Sequence, residues 1–266
     1  MGNSVTILGT RGSGPVSGEE YSRYGGATSC VLVEIGGRHI LLDAGTGLLK
    51  LPPSVGEMQP IPLLLTHLHL DHLIGLPLCP QLFRDNIQLA LYCSPGQLPL
   101  VRESLERLFS PPFWPVCLSD LPASVKLCSI PEDGCISGIR VETMPGVHPG
   151  GVTLYRLHGC GKTLVYASDC TLTEPLIADL ADFARDCDLL LIDGQYSDEE
   201  WEAHCLYGHS RWTDAARLGQ RCGAHQVHIV HHAPAHTDFI LDAAEEQVRR
   251  ICPVCTFAKE DEVICL

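Results

Sequence analysis

Basic residues are scarce in this 266-residue sequence. Its 18 Lys and Arg stand against 32 Asp and Glu, a formal net charge of -14. An acidic surface repels long polyanions, and binding of duplex or transfer RNA rests on many Lys and Arg contacts to phosphate. The balance therefore counts against a large nucleic-acid partner, though not against a small phosphate ester, because metal ions in a pocket invert the local field. Long apolar runs are missing too: no stretch approaches the roughly 20 residues that span a bilayer, and we expect no membrane partner. The opening residues, MGNSVTILGTRGSG, lack a basic segment followed by a long apolar one. We read no secretion signal there and expect a cytoplasmic protein. Repeats of fixed period, low-complexity tracts and domain-separating linkers are also missing, so residues 1–266 are read as one domain.

Cysteine, by contrast, is plentiful, with 14 residues. Without a secretion signal, reduced and mostly buried thiols are the expectation, not a disulfide framework. The segment CPVC (Cys252 to Cys255) is a single CxxC without a second pair and reads as small apolar packing near the C-terminus.

Strand signals fill the first half, at Val5 to Leu8, Ser29 to Ile35, His39 to Asp43, Ile61 to Thr66 and Leu89 to Tyr92, with Gly36-Gly37 as a tight hairpin turn. Residues 94 to 109 read as a helix capped by Ser94, with Leu98, Val101, Leu105 and Leu108 on one face. Further strands are expected at Val125 to Ser129, Ile139 to Met144, Val152 to Leu157, Thr163 to Ala167, Leu189 to Asp193 and Gln226 to Val230. Helices are expected near 174 to 186, 211 to 222 and 238 to 250. Strands followed by helix–strand alternation, twice over, suit two sheets packed face to face with helices outside.

The stretch LLLTHLHLDHLIG (residues 63 to 75) places three histidines and an aspartate directly after an apolar strand. His67 and His69 stand two apart and can point the same way from an extended loop. Asp71 and His72 follow as a helix begins. Imidazoles on one side and a carboxylate with an imidazole on the other could serve two adjacent cations of zinc, manganese or iron. A solvated histidine-rich loop has no reason to follow a buried strand, and four such groups buried unpaired would cost several kcal/mol.

These residues resemble a family. THLHLDH matches the HxHxDH signature of the metallo-β-lactamase-fold hydrolases. Arg23 to Gly47, Val147 to Leu157, Leu164 to Asp169, DGQYSDEEW, GHSRWTDAARL and VHIVHHAPAHTD are similar to the branch holding cyclic-nucleotide phosphodiesterase-like proteins and tRNA 3′-end-processing endonucleases. The resemblance implies a four-layer αββα sandwich in a single domain. It assigns His67, His69 and His148 to one metal, and Asp71, His72 and a histidine of the His231–His232 pair to the other, with Asp169 bridging. Zinc is the first expectation for the two divalent ions, with manganese or iron as alternatives. His148 sits in a glycine-flanked turn, GVHPGG, that lets a ligand approach closely. Asp169 ends the strand TLVYAS, where an apolar run stops at a carboxylate. His231 is favoured over His232 because it directly follows a strand. Asp43, in LLDAGTG, is read as structural, accepting bonds from glycine-rich backbone and orienting a ligand histidine. His209 opens a helix with Ser210 as cap. It is either an acid for the leaving group, as the endonucleases' histidine-serine-threonine motif implies, or a packing histidine, and Arg211 stands where that motif has threonine. Gln195 and Tyr196 are candidates for the same pocket.

The chemistry the resemblance implies is phosphodiester hydrolysis by a metal-bridging hydroxide, on a small (cyclic) nucleotide or related phosphodiester. Asp71 orients the nucleophile and His209 protonates the leaving oxygen. Three alternatives stand beside it: a tRNA 3′-end-processing endonuclease, a thioester or lactone hydrolase, and a non-catalytic metal-bearing ligand sensor. The endonucleases grip tRNA with a basic arm, whereas residues 73 to 140 here are rich in Leu, Pro and Cys. The family resemblance also leaves a homodimer open.

Overall fold

The computed structural model describes residues 2–57 and 59–266. In chain order the strands are β1 (Ser4–Gly9), β2 (Cys30–Ile35), β3 (Arg38–Leu42), β4 (Ile61–Leu64), β5 (Gln88–Cys93) and β6 (Ser124–Ser129). They continue with β7 (Cys135–Ile136), β8 (Ile139–Gly146), β9 (Val152–Gly159), β10 (Lys162–Ala167), β11 (Leu189–Asp193), β12 (Val227–Val230), β13 (Cys255–Phe257) and β14 (Val263–Cys265). Helices are α1 (Gly75–Leu78), α2 (Leu98–Leu108), α3 (Glu174–Phe183), α4 (Trp201–His204), α5 (Trp212–Cys222) and α6 (Asp238–Ile251). The strands form two seven-stranded sheets, ordered β14-β1-β2-β3-β4-β5-β6 and β13-β12-β11-β10-β9-β8-β7.

Three apolar layers explain why so many strands read as continuous hydrophobic runs. Between the sheets, Val33, Ile40, Leu42 and Leu64 meet Tyr155, Leu164, Leu189 and Leu191. Outside the first sheet, Leu41, Leu63 and Leu91 pack with Leu76, Val101 and Leu105. Outside the second, Val165, Leu190 and Ile192 pack with Leu180, Trp212, Ala215 and Leu241. Successive residues such as Leu189, Leu190 and Leu191 thus bury opposite faces, and both faces are covered. The result is the four-layer αββα sandwich in a single domain that the resemblance implies.

Gly36 and Gly37 make the β2–β3 hairpin, with φ of 60° and 75°, the left-handed pair that a two-residue turn of matching twist demands. Parallel pairing of β3 with β4, of β10 with β11 and of β11 with β12 brings their carboxyl ends to one side within each sheet. Cys252 and Cys255 both sit in the apolar layer under α6. No helix among the described residues is long and apolar enough to cross a membrane.

Two caps differ from the sequence reading. Ser94 does not cap α2, because Pro95–Gln97 form a separate 3-10 turn in front of it. Ser210 does not cap α5 either. Arg211 occupies that position, while the Ser210 hydroxyl donates to the Cys170 carbonyl and accepts from Leu172 N–H at 3.0 Å, tying the chain beyond β10 to the start of α5. The two-residue β7, the three-residue β13 and β14 and the one-turn α4 carry too few residues for a legible periodicity.

Leu191 is fully buried in the inter-sheet layer. Leu191→Ala is expected to destabilise the protein by about 2–5 kcal/mol, the range for an aliphatic side chain whose cavity does not collapse. Equilibrium urea unfolding measures it, and a loss below about 1 kcal/mol would mean that the sheets close over the gap.

Candidate metal centre

The carboxyl ends of the central strands deliver the polar residues. The chain leaves β4 into the loop carrying His67 and His69, then makes one 3-10 turn, Leu70–His72. Asp43 directly follows β3, Asp169 lies two residues beyond β10, His231 directly follows β12, and His148 lies two residues beyond β8. Asp43, Asp169 and His231 have φ of 59°, 55° and 66°. A left-handed backbone at a residue other than glycine costs on the order of 1–3 kcal/mol and persists where the surroundings over-determine it. Here it turns each side chain sharply off its strand.

Seven side chains converge. His72 Nε2 lies 3.1 Å from Asp169 Oδ1, and Asp169 Oδ2 lies 3.2 Å from His231 Nε2, 3.6 Å from His67 Nε2 and 3.8 Å from His148 Nε2. His148 Nε2 stands 3.0 Å from His69 Nδ1, and His231 Nε2 stands 3.1 Å from Asp71 Oδ2 and 3.3 Å from His72 Nε2. Ligands about 2.1 Å from one ion at tetrahedral angles stand about 3.4 Å apart, so these spacings match coordination shells. Two four-residue groups emerge, His67–His69–His148–Asp169 and Asp71–His72–Asp169–His231, sharing Asp169. His67 Nε2 and Asp169 Oδ2 are buried without a hydrogen-bond partner, an arrangement that a cation between them would relieve. The nitrogen and oxygen donors suit zinc, manganese or iron.

The outer nitrogens are held as well. His72 Nδ1 donates to Asp43 Oδ2 at 2.8 Å, His148 Nδ1 to the Gly208 carbonyl at 2.8 Å, and His231 Nδ1 to Gln195 Oε1 at 2.9 Å. His67 Nδ1 donates to Thr66 Oγ1 at 3.0 Å, and that hydroxyl donates onward to Asp43. Such bonds fix the tautomer and aim Nε2 inward. His69 alone turns Nδ1 to the cluster. Ser13 N–H donates to Asp71 Oδ2 at 2.7 Å, and Gln195 Nε2 donates to Ser13 Oγ at 3.1 Å.

Charge divides the two groups. Burial pushes His67 down to about 2, and burial also lowers His69 and His148, so these three are neutral imidazoles ready to ligate. Burial works the same way on His72 and His231, but the carboxylates of Asp169, Asp43 and Asp71 outweigh it and hold both above the ordinary histidine value. Burial disfavours the charged forms of Asp71 and Asp169, yet the neighbouring imidazoles pull both carboxyls well below the usual range.

The remaining candidates fall into place around this cluster. Asp43 is buried, and its donors are Thr66, His72 and the Tyr166 hydroxyl, not the glycine-rich backbone expected from the sequence. His232 points away: its Nε2 donates to the Ala258 carbonyl and its ring meets Tyr24 and Phe257 edge-on. His209 stacks on His231 with centroids 4.8 Å apart and donates from Nδ1 to Asp193 Oδ2 at 2.8 Å. Gln195 and Tyr196 are both buried, Gln195 bonded to His231 and Tyr196 6.0 Å edge-on from His209. Asp193, Ser13, Thr66 and Tyr166 went unnoticed in the sequence. For Asp193 the signal was present, since the apolar run LLLID stops at a carboxylate as Asp169's strand nearly does.

Comparison with known proteins follows the same lines. The model of the beta-lactamase superfamily domain matches residues 38–232. A Ribonuclease Z of Haloarcula marismortui is 23% identical over 91% of this chain and 91% of its own length. A Ribonuclease Z of Metallosphaera sedula is 25% identical over 97% and 96%. The crystal structure of YhfI from Bacillus subtilis, a metallo-beta-lactamase fold protein, superposes with a TM-score of 0.74 at 20% identity, covering 100% of both chains. The relatives named Ribonuclease Z overturn the expectation that a net charge of -14 argues against a large nucleic-acid partner. Net charge sums the whole surface, whereas binding is decided by the local field, which divalent cations reverse.

Neighbouring carboxylates hold His72 and His231 above the ordinary histidine value and so favour their protonated forms, with which a metal at the Asp71–His72–His231 position must compete. Titration calorimetry of the metal-free protein at pH 7, in two buffers of different ionisation enthalpy, is expected to report net proton release. The affinity of that position should rise as pH increases from 6 to 8. Equal heats in both buffers would contradict these protonation states.

Proposed function

The chain belongs to the beta-lactamase superfamily and is a metal-dependent hydrolase of the metallo-β-lactamase fold, and from that premise we propose that it hydrolyses phosphodiesters at the cluster under the carboxyl ends of the strands. The observation that carries the proposal is the convergence of His67, His69, His148, Asp71, His72 and His231 about the single carboxylate of Asp169. In this reading the first three hold one divalent cation, the next three hold the other, and zinc is the ion placed first. When bound, the pair supplies Lewis-acid charge beside the phosphoryl oxygens and lowers the pKa of a neighbouring water.

The chain's own groups do the remaining work. Asp71, fixed by the Ser13 N–H, orients the attacking water. Asp193 takes the Nδ1 proton of His209 in its hydrogen bond, which leaves Nε2 as the nitrogen that exchanges a proton. As the new P–O bond forms the attacking water gives up a proton to solvent, and as the ester P–O bond breaks His209 delivers its Nε2 proton to the departing oxygen. Gln195 keeps His231 in register through Nδ1.

RNA is the substrate class placed first, because full-length relatives carry the name Ribonuclease Z. A small nucleotide diester is the second reading; it needs the same reacting group and no surface beyond the mouth of the site.

The test is a hydrolysis screen with zinc-loaded protein against a tRNA carrying a 3′ trailer, 2′,3′- and 3′,5′-cyclic nucleotides, a chromogenic phosphodiester and a glutathione thioester. Cleavage of at least one phosphodiester is expected. His69→Ala or Asp169→Ala should lower turnover at least ~10³-fold and reduce bound metal. His209→Ala should lower kcat by about 10²-fold, the usual size of a proton-transfer contribution, with metal content intact. Cleavage of the thioester alone, or full activity in either ligand variant, would end the proposal.

A further inference from the structure

All the metal-site residues but His69 are buried, and some of the residues beside them in sequence face solvent. Leu70, between His69 and Asp71, is 64% exposed, and Val147, next to His148, is 46% exposed. In the segment between α4 and α5, Leu206 is 86% and Tyr207 59% exposed. This segment is bound directly to the site. Gly208 accepts the His148 Nδ1 proton through its carbonyl, and with φ of 93° it packs so closely that a Cβ there would come within 2.4 Å of His148 Nδ1.

Aromatic rings then connect the site to Tyr207. His209 meets Tyr196 edge-on at 6.0 Å, Tyr196 stacks on His204 at 4.5 Å and 22°, and His204 meets Tyr207 edge-on at 5.3 Å. Phosphate-binding cations are not available from the nearest arginines. Arg11 is buried and donates to the carbonyls of Gly25, Ala233 and His236, and Arg211 pairs with Asp198 and Asp214. Exposed apolar and aromatic side chains, Leu70, Val147, Leu206 and Tyr207, are the surface this part of the chain offers to the rest of a substrate. Exposed aromatic rings hold nucleobases by stacking, and an alanine substitution there costs each base a substantial part of its affinity.

We propose that Tyr207, steadied from behind by His204 and Tyr196, is the platform on which the nucleobase next to the scissile phosphate stacks, so that the substrate is a nucleotide diester and not a sugar or alkyl phosphate ester. The inference rests on the phosphodiesterase reading and narrows its substrate class. A base of this kind belongs equally to an RNA terminus or to a free nucleotide.

Binding separates this inference from turnover. Zinc-loaded protein is titrated calorimetrically with AMP, ribose 5-phosphate and a five-nucleotide RNA bearing a 5′-phosphate. AMP is expected to bind about 10-fold tighter than ribose 5-phosphate. Tyr207→Ala should bring AMP to within about 2-fold of ribose 5-phosphate without changing the latter, and Tyr207→Trp should restore the preference. An RNA that binds at least ~10-fold tighter than AMP, with the same dependence on residue 207, assigns the base to RNA, and equal affinity assigns it to a mononucleotide. Equal binding of AMP and ribose 5-phosphate by the unaltered protein, no binding of either, or a preference that survives Tyr207→Ala overturns the inference. Failure of the phosphodiesterase reading is read separately, from the hydrolysis screen.

Discussion

Everything in this molecule is arranged about one buried carboxylate. Asp169 has four imidazole nitrogens within 3.8 Å, and a charge this far from water persists only if positive charge surrounds it. That requirement reaches back into the fold. The four histidines come from three separate stretches of chain, and only two sheets whose strand ends meet on one side can bring them together. Three residues with left-handed backbone turn the last corner. The inter-sheet layer of Val, Ile, Leu and Tyr fixes the relative height of those strand ends, so the packing of the apolar middle sets the geometry of the polar rim.

Much of this was legible before any coordinates. The long apolar strands that cover both faces, the Gly36-Gly37 hairpin and helices α3, α5 and α6 could be placed because each carries enough residues for a pattern to repeat. The cluster was legible for a different reason: His67, His69, Asp71 and His72 are crowded into six positions, and polar crowding after a buried strand has few explanations. What stayed hidden depends on distant partners. Asp193 matters because His209 donates to it across the fold, and Ser13 through a backbone N–H that reaches Asp71. Ser210 has the composition of a helix cap, but tertiary contacts with Cys170 and Leu172 claim its hydroxyl.

Charge was the misleading signal. Thirty-two acidic residues say what the surface repels on average at long range, and salt screens that field beyond about 8–10 Å. The neighbourhood of the site obeys other rules. Asp71, Asp169 and Asp193 face inward onto histidines, and leucine, valine and tyrosine are among the side chains exposed near them. A whole-chain sum carries no information about either.

Asp43 is linked by hydrogen bonds to both groups of donors. It accepts from His72, which belongs to one group of donors, and from Thr66, whose hydroxyl accepts from His67 in the other. Tyr166 donates to the same carboxylate from the opposite sheet. A single residue outside both donor groups thus acts as a common keystone: the two groups share their scaffolding, so a disturbance transmitted through Asp43 loosens both together.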